Sequence, residues 1–164
     1  MISVYQHHKL LILISIFFVQ LYIPKIYMGF NLSVTPDVFL IYLTYLSTYN
    51  SRLTLIVMGF SLGFIQDIIS QHYLLGLFAF SKTITGFILG TFHKHNKIWK
   101  KNIKLFFLFS TYMFHFILSS YFMFERSLTP ISYILKISFM ESIWMILILY
   151  IINKFILIDN KIID

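Results

Sequence analysis

Apolar residues gather in six runs separated by short polar or charged joints. The first, Leu10 to Ile23, follows His7, His8 and Lys9 and closes at Pro24. Its charged and apolar parts resemble a signal peptide, yet no small-residue cleavage site follows, and Ala79 is the only alanine in the chain. A retained first helix is the expectation. The second run, Val38 to Tyr49, is short for a span. Leu32 to Asp37 would lengthen it, with Pro36 tolerated in the first turn. Leu53 to Ile69 forms the third run, the fourth lies between Tyr73 and Phe92, and the fifth covers Leu105 to Phe124. The sixth covers Ile131 to Ile158, interrupted by Lys136 and Glu141.

Composition turns these runs into membrane spans. Of 164 residues, 59% are hydrophobic and 12% charged, against about 45–50% and roughly 25% in a soluble domain. Mean hydropathy is +0.82. So little charge cannot cover a soluble globule, which argues against a soluble enzyme, a disordered tail or a nucleic-acid module despite the net charge of +7. A transmembrane helix takes about 20 residues, so the length accommodates at most six or seven. The predicted architecture is all-α: a polytopic membrane bundle of six helices, one domain over residues 1–164, with little chain left over. The absence of cysteine excludes a disulfide scaffold, thiolate metal sites and thiol catalysis.

Charge sets the orientation. Lys94, Lys97, Lys100, Lys101 and Lys104 cluster between the fourth and fifth runs. With the N-terminus inside, nine cationic residues fall on the inner side: these five, Lys9, Arg52, Lys154 and Lys161. Only Lys25 and Arg126 fall outside, a strong positive-inside asymmetry that makes both termini cytoplasmic. A re-entrant second run would move the N-terminus outside and leave the basic loop inside. That loop is also suited to anionic lipid headgroups, with Trp99 as an interfacial anchor. His93 and His95 lack a third ligand, so neither a metal nor any cofactor is expected.

Four of the six glycines form two G-x-x-x-G pairs, Gly59 with Gly63 and Gly86 with Gly90. Small residues four apart make a strip on which helix backbones approach closely. Continuing each strip by four residues reaches Asp67 on one helix and Lys82 on the other. An antiparallel hairpin with Gly59 opposite Gly90 and Gly63 opposite Gly86 would set Asp67 level with Lys82. An unpaired intramembrane charge costs about 2.5–3.5 kcal/mol even on the lenient scale, so an Asp67–Lys82 pair is the expectation. Lys136 and Glu141 compete for the same partners, and the four form a candidate network, as helix glue or as the lining of a polar cavity. His115 reads as a satisfied interior histidine rather than a proton relay.

Gly59-Phe60-Ser61-Leu62-Gly63 matches G-x-S-x-G, and His115 lies at comparable depth on another helix. A nucleophile elbow requires a strand, a sharp turn and a helix, whereas this pentad sits inside a continuous apolar run. An intramembrane serine hydrolase is therefore a remote alternative.

The order of these features resembles a known family. Pro36-Asp37 opens an apolar run, Gly59-Phe60-Ser61-Leu62-Gly63-Phe64-Ile65-Gln66-Asp67 gives G-F-x-x-G-x-x-x-D, and Leu75-Gly76 precedes Gly86. This resembles the rod shape-determining inner-membrane protein MreD, over Pro36 to Gly90 by motif and elsewhere by length and hydropathy. The resemblance implies a non-enzymatic scaffold of the cell-wall elongation machinery in the bacterial inner membrane. Its implied partners are MreC, MreB, RodA and a class B penicillin-binding protein. It marks Pro36, Asp37, Gly59, Gly63, Asp67, Gly76 and Gly86 as structural or partner-binding positions. The scarcity of alanine and the richness in Phe, Tyr, Ile and Lys depart from the family pattern.

The family's fold is similar to that of the substrate-binding components of vitamin transporters, which supplies the second expectation: a small-molecule-binding subunit. Those components show an A-x-x-x-A strip on the first helix, and Leu10 to Ile23 has neither alanine nor glycine. A proton-coupled transporter using Asp67, Glu141 and His115 lacks the paired broken helices such proteins carry.

Overall fold

The apolar runs fold as helices in a computed structural model that describes residues 15–22, 26–27, 33–70, 74–95, 98–124 and 129–155. In chain order these are α1 (residues 15–22), α2 (Val38–Leu46), α3 (Arg52–Ser70), α4 (Leu77–His95), α5 (Lys101–Met123) and α6 (Ile131–Phe155). Between α1 and α2, β1 (Ile26–Tyr27) and β2 (Ser33–Val34) form a two-residue antiparallel ladder with Ile26 opposite Val34. Residues 10–14 and 23 of the first run, and 156–158 of the sixth, lie outside the described residues.

Side chains are distributed inversely to those of a soluble domain. Leu53, Phe106 and Ile131 are each more than 70% exposed, while Lys82, Thr85, His115, Ser138 and Ser142 are wholly buried. Exposed apolar side chains around a polar-bearing interior are the arrangement a lipid solvent favours. Among the described residues three helices, Arg52–Ser70, Lys101–Met123 and Ile131–Lys154, are long and apolar enough to cross a membrane. The chain is thus a multi-pass helical membrane protein.

The expected six full-length spans are corrected at two places. In α4 the apolar stretch Leu77–Phe92 is shorter than the other three. The second helix has nine residues and does not extend back through Pro36. Asp37 instead adopts an extended backbone (φ −100°, ψ 95°) and caps the helix, its carboxylate accepting from the Leu40 N–H. Nine residues rise only about 14 Å, half of a hydrocarbon core of about 30 Å.

A helix end within the bilayer exposes backbone polar groups to a medium that cannot hydrogen-bond them. Here each end of α2 is answered by side chains. Gln20 accepts from the Val38 N–H at 2.7 Å, beside the Asp37 cap. At the other end Ser47 and Thr48 hydroxyls donate to Thr44 and Tyr45 carbonyls, and Asn50 donates to Leu46 O. With both ends satisfied, Phe39 to Thr44 are buried among the other helices.

The α3–α4 hairpin is the most extensive helix pair. A Cβ on Gly59 would strike the Lys82 carbonyl, one on Gly63 the Phe78 carbonyl and Ala79, and one on Gly86 the Leu55 carbonyl. Both glycine strips therefore touch backbone, as expected, but in a different register. Gly59 faces Lys82 rather than Gly90, a displacement of about two helical turns. Gly90 instead lies against Arg52, whose guanidinium bonds Thr91 and covers the Phe87 ring.

Candidate functional site

Four buried polar links meet where α2, α3, α4 and α5 converge. Lys82, fully buried on α4, forms an ion pair with Asp37 and donates a second hydrogen bond to Gln66 Oε1 on α3. Its ammonium also faces the Phe78 ring, 5.3 Å from the centroid. The predicted Asp67–Lys82 pair is replaced by this Asp37–Lys82 pair. The register shift explains the exchange. It brings Asp67 to the start of α4, where Oδ1 accepts from the Phe78 N–H and Oδ2 from the Ala79 N–H, each at 2.9 Å.

Hydrogen-bond chemistry fixes the roles of two further links. Thr44 donates its one hydroxyl proton to Leu40 O, so Tyr112 donates to Thr44 Oγ1 at 2.8 Å. Thr85 likewise donates to Ser81 O, so His115 Nδ1 carries a proton and donates to Thr85 Oγ1 at 3.0 Å. This tautomer is assigned from the network. His115 Nε2 then points toward Asp37 Oδ2 at 3.8 Å, beyond hydrogen-bond range, and has no hydrogen-bond partner among the described residues.

Beside the ion pair lies a cavity of about 90 Å³, lined on its polar side by Gln20, Thr35, Asp37, Gln66, Ser119, Ser120 and Glu141. Phe78, Phe116 and Met123 complete its wall. Of the four predicted network charges, Glu141 lines this cavity and Lys82 lies behind its Asp37 and Gln66 wall, whereas Asp67 is spent on the α4 cap and Lys136 is exposed on α6. Gln20, Gln66, Thr44, Thr85 and the Ser119–Ser120 pair were not singled out from sequence. The available signal was a lone polar side chain within an apolar run, which Gln20 shows and Gln66, next to Asp67, does not.

The remaining candidates lie elsewhere. Pro36 is buried beside Asp37, and Gly76 adopts φ +101° at the entry to α4. Lys94, Lys100 and Lys101 are exposed, but Lys104 is buried on α5, and Lys97 lies outside the described residues. The basic loop is thus shorter than expected, because α5 already begins at Lys101. Trp99 packs on Phe92, Phe107 and His95 rather than standing free at an interface. Among the described residues no three metal-ligating side chains converge, and the His93 side chain lies outside them. Ser61 is exposed on α3 and donates to Val57 O, whereas His115 is buried with Thr85, so the G-x-S-x-G serine and the histidine are not brought together.

Fold and site together define a multi-pass membrane protein with an internal polar junction. The chain matches no protein-family model, no curated protein and no solved structure.

Proposed function

We propose that the protein is a non-enzymatic scaffold of the MreD kind, seated in a bacterial inner membrane with both termini cytoplasmic. One observation carries this reading: Asp37, Gly63 and Asp67, which carry the sequence resemblance, meet in space around Lys82 and the start of α4. Their charges are consumed in joining helices, a use suited to a rigid platform rather than to chemistry. The outward faces, including the Phe60–Phe64 stack on α3, are left for lipid and partner helices.

MreC is the first partner in this reading, docking its membrane helix on the bundle. MreB, RodA and a class B penicillin-binding protein follow through the assembled complex. The exposed Lys94, Lys100 and Lys101 face the cytoplasm, where they meet MreB filaments or anionic headgroups. The vitamin-binding alternative has less support, because small-molecule pockets usually enclose about 300–1,000 Å³ and the polar cavity holds about 90 Å³. Purification of the tagged protein from native membranes, followed by mass spectrometry, tests the choice. Enrichment of MreC and elongation proteins supports the scaffold; enrichment of transporter ATPases overturns it.

A further inference from the structure

Joining helices accounts for Asp37, Lys82 and Asp67 but leaves Glu141 without a role. Lys82 is matched by Asp37, and Asp67 by two backbone N–H groups. Glu141, partly buried midway along α6, makes no hydrogen bond or ion pair with any described residue, yet it lines the polar cavity. Lys136, the nearest cation on its own helix, is exposed on the outer face. An intramembrane carboxylate with no partner among the described residues marks a functional position by default.

We infer that this cavity binds a small monovalent cation, with Glu141 as its counter-charge. The lining suits such a guest. Ser119 donates its proton to Phe116 O, so its lone pairs remain as acceptors, and Ser120 and Thr35 add further hydroxyl oxygens. Gln20 and Gln66 use their carbonyl oxygens on Val38 and Lys82, so their amide N–H groups are left for water that accompanies the ion. Phe78 and Phe116 offer aromatic rings of the kind that accept cations. A volume of about 90 Å³ is several times the ~10–15 Å³ that a single water needs, so a small ion fits together with water. The inference is independent of the scaffold reading.

Thermal unfolding of the purified full chain in detergent tests the site. Sodium chloride, methylammonium chloride and choline chloride are compared at equal ionic strength. A saturable rise in Tm of several degrees with sodium or methylammonium over choline is expected, and loss of that rise in Glu141→Gln. A response to sodium assigns the site to a free ion; a response to methylammonium alone assigns it to a primary ammonium such as a lipid amine head. Equal Tm in all three salts overturns the inference, as does an undiminished response in folded Glu141→Gln. The wild-type salt comparison stands even where the variant fails to fold.

Discussion

Asp67, in the last turn of α3, supplies the N-terminal cap that Gly76 has no side chain to make. Gly76 enters α4 with φ +101°, and its carbonyl accepts the first helical hydrogen bond from the Phe80 N–H at 2.9 Å. The Phe78 and Ala79 N–H groups would otherwise be orphaned within the bilayer. The Asp67 carboxylate takes both. Its negative charge at a helix start also complements the helix dipole.

Replacing Asp67 with alanine removes both acceptors at once. Hydrogen bonds to a charged group contribute about 1.5–3 kcal/mol each, so Asp67→Ala should destabilise the protein by roughly 3 kcal/mol, and Asp67→Asn by about half as much. Thermal unfolding in detergent measures both. Wild-type stability in Asp67→Ala would show that the cap contributes nothing.

Gly59 and Gly63 lie where any Cβ meets partner backbone, so the α3–α4 hairpin must open to accept alanine. Overpacking of this kind costs about 1–3 kcal/mol. Gly76→Ala meets open space and is penalised only for its positive φ, by about 1–3 kcal/mol. The three variants therefore separate by mechanism. Cysteines placed across α3 and α4 should crosslink less in Gly59→Ala and Gly63→Ala and at the wild-type level in Gly76→Ala. Unchanged crosslinking in all three would contradict the close approach.

Much of this fold was legible in the sequence. The runs Leu53 to Ile69, Leu105 to Phe124 and Ile131 to Ile158 correspond to α3, α5 and α6 because a span's length and apolarity are properties of the segment itself. The glycine strips also announced the α3–α4 contact. What the sequence did not carry was register. A strip of small residues packs against any backbone that fits, and a slide of two turns exchanged Asp67 for Asp37 as the partner of Lys82. The polar cavity depends on six separate segments meeting, and Gln20 or Ser120 has no local mark of its neighbours.

Ser61 is solvated by its own helix through Val57 O and lies on an exposed face. Substitution to alanine should shift stability by less than about 0.5 kcal/mol, and a fluorophosphonate probe should leave Ser61 unlabelled. Stoichiometric labelling would restore the hydrolase reading.

The chain contains no cysteine, so single introduced thiols report sidedness without background. Leu75 and Lys100 flank opposite ends of α4 and are both exposed. In intact bacteria a membrane-impermeant maleimide should label Leu75→Cys and spare Lys100→Cys until the cells are opened. The reverse pattern would invert the positive-inside orientation.

Asp37, Lys82 and Asp67 are consumed inside the bundle as helix-joining links, chiefly Lys82 with Asp37. A double-mutant cycle on Asp37→Asn and Lys82→Met, read by unfolding in detergent, tests this most directly. Removing one partner of a buried pair costs about 3–5 kcal/mol because the other charge is stranded. Each single variant should lose roughly that much, and the double variant should be more stable than either. Single losses that simply add in the double variant would contradict the pairing.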